Sequence, residues 1–266
     1  MDIRSADTHP ATEPADGIVA VVIGASGGLG AAITDALMAR SDVQHIFAVS
    51  RSLQSPDSPR VTRLAAEVTD PSSLARLVDS VRANTERVDL LITCIGILHG
   101  GDGEPALGPE KSLHQLDADR FARVMAVNAL APLQILDAFT PLLRRGRRPV
   151  AATLSAMVGS IGDNRLGGWY SYRMSKAALN MGLRTAAIEL ARPRGARDAS
   201  GEAPATPIVV AVHPGTTATA LSAPFLRNRS ARSPEQSAQY LLSVLDSLSA
   251  ADTGKFFNWD GRELPW

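Results

Sequence analysis

The chain has 266 residues, 45% of them apolar and 20% charged, with 27 acidic and 27 basic residues in balance. That composition suits a soluble globule with a sizeable core, and zero net charge offers no basic surface to nucleic acid or an anionic membrane. The single cysteine, Cys94, excludes an intrachain disulfide and a cysteine-rich metal site.

Residues 1–16 are polar, carry Pro10 and Pro14, and lack the apolar stretch of a secretion signal. They are expected to form a flexible tail, with residues 17–266 as one domain in a cytoplasmic, reducing setting. No apolar run reaches the length of a membrane span.

Ile18-Val19-Ala20-Val21-Val22-Ile23 is a short unbroken apolar run, as in a strand buried on both faces. It leads into Gly24-Ala25-Ser26-Gly27-Gly28-Leu29-Gly30 and then a helical pattern through Ile33, Leu37 and Met38. Strand, glycine turn and helix set backbone N–H groups against a pyrophosphate. Gly24 suits the tight turn, Gly28 leaves room for phosphate, and Gly30 lets helix and sheet approach. A plain strand-to-helix turn uses glycine too; the context favours dinucleotide binding.

A second strand, His45 to Ser50, ends at Ser50-Arg51 with no acid to hold a ribose 2′-hydroxyl. Arg51 offers a guanidinium to a 2′-phosphate, which favours NADP over NAD; the alternative is a solvated loop arginine. Residues 52–60 read as a loop. The third strand, Val61 to Ala66, leads to Glu67-Val68-Thr69-Asp70, and Asp70-Pro71 starts a helix. Glu67 is either an adenine contact or a solvated acid.

Val88 to Ile95 is a central strand followed by Gly96, with Cys94 as a small buried residue. His99 lies in the next loop and is expected to be structural, although a substrate can reach that strand end. His9, His45 and His114 show no metal-ligand spacing, so no metal is expected.

Asp117 to Phe139 reads as one long helix with Asn128 among apolar neighbours. A buried amide needs partners. It either satisfies local backbone or holds a water or carbonyl. Val150 to Leu154 is the fifth strand and ends at Ser155, where an open α/β sheet places ligand contacts. The next helix carries Tyr172 and Lys176, four residues apart and so on one face. A free phenol titrates near pH ~10, and a neighbouring ammonium favours the phenolate. The pair is a candidate general acid/base, although the chain has only three Tyr and three Lys and such a spacing also arises by chance. Pro207 to Val212 is the sixth strand, followed by Pro214-Gly215, and Phe256 to Trp259 the last. The loops 97–111 and 219–232 are expected to line a substrate pocket, with Phe225 and Leu226 as apolar contacts of a lid. Alternating strands and helices predict one doubly wound, Rossmann-type α/β sheet of about seven parallel strands flanked by helices.

From residue 18 onward the chain resembles the short-chain dehydrogenase/reductase family. The resemblance rests on Gly24, Gly28 and Gly30, on Met125-Ala126-Val127-Asn128, Ser155, Tyr172 and Lys176, and on Pro214-Gly215. The phrasing around Gly159-Ser160-Ile161, Gly167-Gly168-Trp169-Tyr170-Ser171-Tyr172 and Trp259-Asp260-Gly261 is similar to the C-factor and sniffer-type carbonyl reductase branch. Ile23 replaces a usual Thr, Thr93-Cys94-Ile95-Gly96 replaces Asn-Asn-Ala-Gly, and Glu67 stands where Asp is common. The Ser-to-Tyr segment is about four residues longer than usual, which makes Ser160 a rival for Ser155. No departure is expected to remove a catalytic group.

The resemblance implies hydride transfer between nicotinamide and a carbonyl or secondary alcohol. Tyr172 supplies the proton, Ser155 holds the substrate oxygen, Lys176 lowers the Tyr172 pKa and holds the ribose, and Asn128 positions a water. The cofactor, NADP(H) by preference with NAD(H) possible, is expected along Gly24, Ser26, Gly28, Leu29, Gly30, Ser50, Arg51, Glu67, Val68, Gly96, Tyr172, Lys176, Pro214, Gly215, Thr217 and Thr219. The rival reading is a C-factor-like regulatory protein that binds the dinucleotide with little turnover. Epimerase or dehydratase chemistry on a nucleotide sugar usually needs a larger carboxyl-terminal domain. The resemblance leaves the oligomeric state open among homodimer, homotetramer and monomer.

Overall fold

A computed structural model describes residues 17–53, 56–98, 108–192, 203–226 and 230–266. The expected tail, His99 and most of the loop 97–111 lie outside the described residues.

Seven strands form one parallel sheet: β1 (Ile18–Ile23), β2 (Val43–Ser50), β3 (Val61–Ala65), β4 (Leu90–Thr93), β5 (Val150–Leu154), β6 (Ile208–His213) and β7 (Phe256–Asn258). Their order is β3-β2-β1-β4-β5-β6-β7. Chain order reverses between β1 and β4, and the crevice at such a switch point is where open α/β sheets bind ligands. Register aligns the carboxyl ends there, pairing Ile23 with Thr93, Thr93 with Thr153, and Leu154 with Val212.

Strand alternation divides the core into two layers. Val19, Val21 and Ile23 pack with α2 (Pro71–Arg82), α4 (Ala131–Leu143) and α5 (Tyr170–Leu190). Ala20 and Val22 pack with α1 (Gly28–Met38) and α7 (Pro234–Ser247). Capping follows the sequence signals: Asp70 accepts from Ser73 N at the start of α2, and Ser233 and Gln236 form a capping box on α7.

The expected long helix is broken. It runs as α3 (Ala118–Met125), a π turn (Ala126–Leu130) and α4. Ala131 N–H reaches back five residues to Ala126 O. The cause is legible in hindsight: Pro132 has no N–H to offer the Asn128 carbonyl four residues earlier. By length and composition the stretch Ala118–Leu143 is apolar enough to cross a membrane, but half of its most apolar part is buried against the rest of the chain. A short helix, α6 (Ala223–Leu226), lies where the lid was expected.

Candidate active site

The helix α5 begins from an unusual corner. Gly167, Gly168 and Trp169 all have left-handed backbone, with φ of 62°, 65° and 54°. For tryptophan that conformation costs about 1–2 kcal/mol. Glu110 holds the corner: its carbonyl accepts from Trp169 N–H, and its buried carboxylate accepts from the N–H and hydroxyl of Ser171. The Trp169 ring then lies edge-on to Tyr172, centroids 6.2 Å apart, and meets Phe225 of α6 at 5.1 Å. Leu98, Ala156 and Val158 complete an apolar wall around the Tyr172 ring.

Lys176 sits one turn on and is buried. Its Nζ donates to Leu154 O at 2.9 Å, at the end of β5, and lies 5.9 Å from the Tyr172 ring centre. Gly96, after β4, faces the same ammonium: a Cβ built there would be 3.6 Å from Lys176 Nζ and 3.5 Å from Asn128 Oδ1. The structure thus brings Tyr172, Lys176, Gly96 and Asn128 to one corner of the switch-point crevice.

Burial dominates the protonation chemistry of the pair. It pushes the Tyr172 phenol up to about 12 and the Lys176 ammonium down to about 8. Burial, and not the neighbouring lysine, sets the direction of the phenol's shift here. The ammonium is turned to the Leu154 carbonyl, and the loss of water around the phenol outweighs it. Burial also raises Cys94 to about 12, as fits an inert thiol.

Asn128 lies in the π turn and is fully buried. Its Oδ1 accepts from Ile97 N, and its Nδ2 donates to Ile97 O and to Ser175 Oγ, at 2.8, 2.8 and 3.0 Å. Ser175 Oγ donates to Tyr172 O at 2.8 Å. Both amide hydrogens are spent, so the side chain braces the loop after β4 against α5. Ser155 is buried and its Oγ lies 2.6 Å from Asn180 Oδ1, while Asn180 Nδ2 has no partner among the described residues. Its rival Ser160 donates to Trp266 O at 3.2 Å.

Across the crevice, Gly24 has φ of 87° and makes the turn out of β1. A Cβ on Gly30 would stand 2.2 Å from Gly24 O, so only glycine allows this closure. Gly27 caps α1 without any side-chain hydrogen bond, leaving the first amides of the helix to a ligand. A Cβ on Gly28 would meet the Thr219 methyl at 3.3 Å, so Thr219 stands opposite the turn. These features fit a dinucleotide pyrophosphate.

Other expected cofactor contacts are narrower. The Leu29 and Val68 side chains point into the two core layers, leaving only backbone to a ligand. Glu67 accepts from Thr69 N and Oγ1, which with nearby Arg51 holds its carboxyl below the usual range. It is engaged in its own turn. Thr217 shares its hydroxyl with Ser237 at 2.8 Å. Gly215, after Pro214, lies against Arg232, whose guanidinium stacks 3.4 Å over Trp259. Beside β2, Ser26, Ser50 and Arg63 line a pocket of about 170 Å³, and Arg51 follows Ser50 directly.

The short chain dehydrogenase family model matches residues 18–230. This chain belongs to that family. It is 36% identical over 155 residues to the C-signal of Myxococcus xanthus, covering 58% of this chain and 84% of that protein. A 1-hydroxy-2-glutathionyl-2-methyl-3-butene dehydrogenase from a Rhodococcus species is 38% identical over 152 residues, 57% of this chain and 61% of its own length. Among solved structures, NADPH-bound carbonyl reductase from chicken fatty liver superposes with a TM-score of 0.77 at 27% identity, covering 94% and 99% of the two chains. The Sniffer carbonyl reductase of D. melanogaster shares the fold, with a TM-score of 0.75 at 22% identity.

In this short-chain dehydrogenase, sequence reading missed Glu110, Ser175 and Arg63. Ser175 sits between Tyr172 and Lys176 and its helical phase was readable. Glu110 had no local signal, because Ser171 is 61 residues away, whereas Arg63 bonds to nearby Pro56 O and Asp57 and meets Ser26 and Ser50 only across the pocket.

Proposed function

We propose that the chain is an NADP-preferring carbonyl reductase that uses Tyr172 as its proton donor. The observation that carries this reading is the buried Tyr172 one helical turn from the buried Lys176, its ring 5.9 Å from the ammonium, at the switch-point crevice that also holds the glycine turn. NADPH would supply the hydride. Gly24, Gly28 and Gly30 would seat its pyrophosphate, Arg51 beside Ser50 and Ser26 would take the 2′-phosphate, and Thr219 and Pro214-Gly215 would flank its other end. Lys176 would stabilise the tyrosinate as the proton leaves and, with Gly96 beside it, face the ribose. Asn128 would fix the spacing between β4 and α5, with the water-positioning role left to its oxygen atoms. Leu98, Val158, Trp169 and Phe225 would hold an apolar substrate and exclude water. NADPH oxidation with aldehydes, ketones and quinones tests the reading. Tight NADPH binding with no turnover on any of them favours the regulatory alternative, which the similarity to C-signal supports.

Two predictions arise here. Arg51→Ala is expected to weaken NADPH by about tenfold to a hundredfold, the worth of a charge-assisted hydrogen bond of ~1.5–3 kcal/mol, while NADH affinity changes little. Fluorescence titration with both cofactors checks it, and equal losses would remove Arg51 from the 2′-phosphate site. The second concerns pH. Lys176 carries its charge below about 8 and loses it above, while Tyr172 stays protonated to about 12. So kcat/KM for reduction is expected to be level below pH 8 and to fall above it with loss of one proton. A profile still level at high pH would take the ammonium out of the mechanism.

A further inference from the structure

Reducing a carbonyl builds negative charge on its oxygen, and donors preorganised around that oxygen carry much of the catalysis. Tyr172 is one donor. The strand end after β5 is where a second would stand, and the serines there face elsewhere. Ser155 Oγ is paired with the Asn180 side-chain amide at 2.6 Å, and that amide's Nδ2 has no other partner among the described residues. Asn180 lies eight residues past Tyr172 on α5, roughly 12 Å along the helix axis at the usual rise, so the hydroxyl points toward the sheet-facing core of that helix. The proton of Ser160 goes to the carbonyl of Trp266, and that of Ser171 to Glu110. The residue that shares the buried apolar cluster of Tyr172 and Leu98 is Ala156, which presents a methyl group.

We propose that this site works with a single proton donor, Tyr172, opposite the methyl of Ala156, and that its substrates are carbonyl compounds that stabilise their own developing alkoxide, 1,2-diketones above all. The inference rests on the reductase reading. In the reaction, hydride supplied by the reduced dinucleotide adds to one carbonyl carbon and the C=O π pair moves to oxygen. The Tyr172 O–H bond breaks, a new O–H bond forms on the substrate, and a hydroxyketone and oxidised dinucleotide result. The adjacent carbonyl withdraws electron density from the alkoxide and replaces part of what a second donor would supply. A simple monoketone has no such help and bears the full loss, which for one oxyanion donor is ~10²–10³ in kcat.

The test compares the full chain with Ala156→Ser, a change that adds one oxygen beside the Tyr172 ring. The unaltered protein is expected to reduce a 1,2-diketone far faster than a monoketone of equal size. Ala156→Ser is expected to raise monoketone turnover by at least ~10-fold, within the worth of one donor, and diketone turnover by much less. Calorimetry supplies a second readout: a secondary alcohol matching the reduced monoketone, whose oxygen would accept from both Tyr172 and the new serine, is expected to bind Ala156→Ser more tightly. NADPH titration confirms that the variant folds. Tyr172-dependent turnover whose substrate ratio and alcohol affinity are the same in both proteins overturns the inference while leaving the reductase reading intact. So does a fall of ~10² or more in Ser155→Ala with NADPH affinity kept, since it would make Ser155 the second donor. If neither protein turns over any carbonyl despite binding NADPH, the reductase reading fails and the inference with it. Turnover of the monoketone by Ala156→Ser alone supports the inference in full.

Discussion

Tyr172→Phe is expected to lower kcat for carbonyl reduction by at least ~10², the lower end of a general acid's contribution. The substitution removes one hydroxyl and little else. The ring still packs between Ala156 and Trp169, and no hydrogen bond within the protein anchors the phenol oxygen among the described residues. Lys176 keeps its bond to the Leu154 carbonyl. NADPH affinity and thermal stability are therefore expected to stay close to those of the parent. If the site has no second donor, nothing remains to protonate the product except water entering an apolar pocket, and the loss moves toward the upper end of the range, ~10⁴. Steady-state kinetics beside a fluorescence titration separates the two effects. Turnover unchanged in a folded, NADPH-binding variant would end the assignment of Tyr172 as the acid.

What the sequence made legible follows from range. The seven-strand sheet and its glycine turn rest on runs of adjacent residues, Ile18 to Gly30 above all, and short-range patterns survive folding. The pairing of Tyr172 with Lys176 is one helical turn and was equally readable. The direction of the phenol's shift was not, because burial by Leu98, Val158, Trp169 and Phe225 is a sum over distant segments. Ser155 shows the same limit more sharply. Its position at a strand end matched the family pattern, but the direction of its hydroxyl depends on Asn180, 25 residues away on α5. One residue along the strand reverses the facing direction, and that single step decides whether the crevice meets a hydroxyl or a methyl. The broken helix at Asn128 was readable in principle from Pro132, and the periodicity of the apolar stripe concealed it.

The largest stability effect is expected at Glu110→Ala. Glu110 is 2% exposed and lies outside every helix and strand, yet it fixes the start of the helix that carries Tyr172 and Lys176. Its carboxylate accepts two hydrogen bonds from Ser171 and sits at the positive end of the α5 dipole. Each charge-assisted bond contributes ~1.5–3 kcal/mol, so a loss of about 3 kcal/mol is a modest expectation. For a domain of this size that lowers Tm by roughly 6–12 °C. The effect reaches the chemistry through the left-handed Trp169, whose cost is held in place by the backbone bond to Glu110. With the side-chain anchor gone, Trp169 is free to relax, and Tyr172 loses the ring that orients it. Glu110→Gln retains an acceptor for Ser171 and is expected to recover part of both stability and turnover, which separates anchoring from any direct part in proton transfer. A Glu110→Ala protein with an unchanged melting temperature and unchanged kcat would show that the corner holds itself, through its glycines and the packing of Trp169 on Phe225 alone.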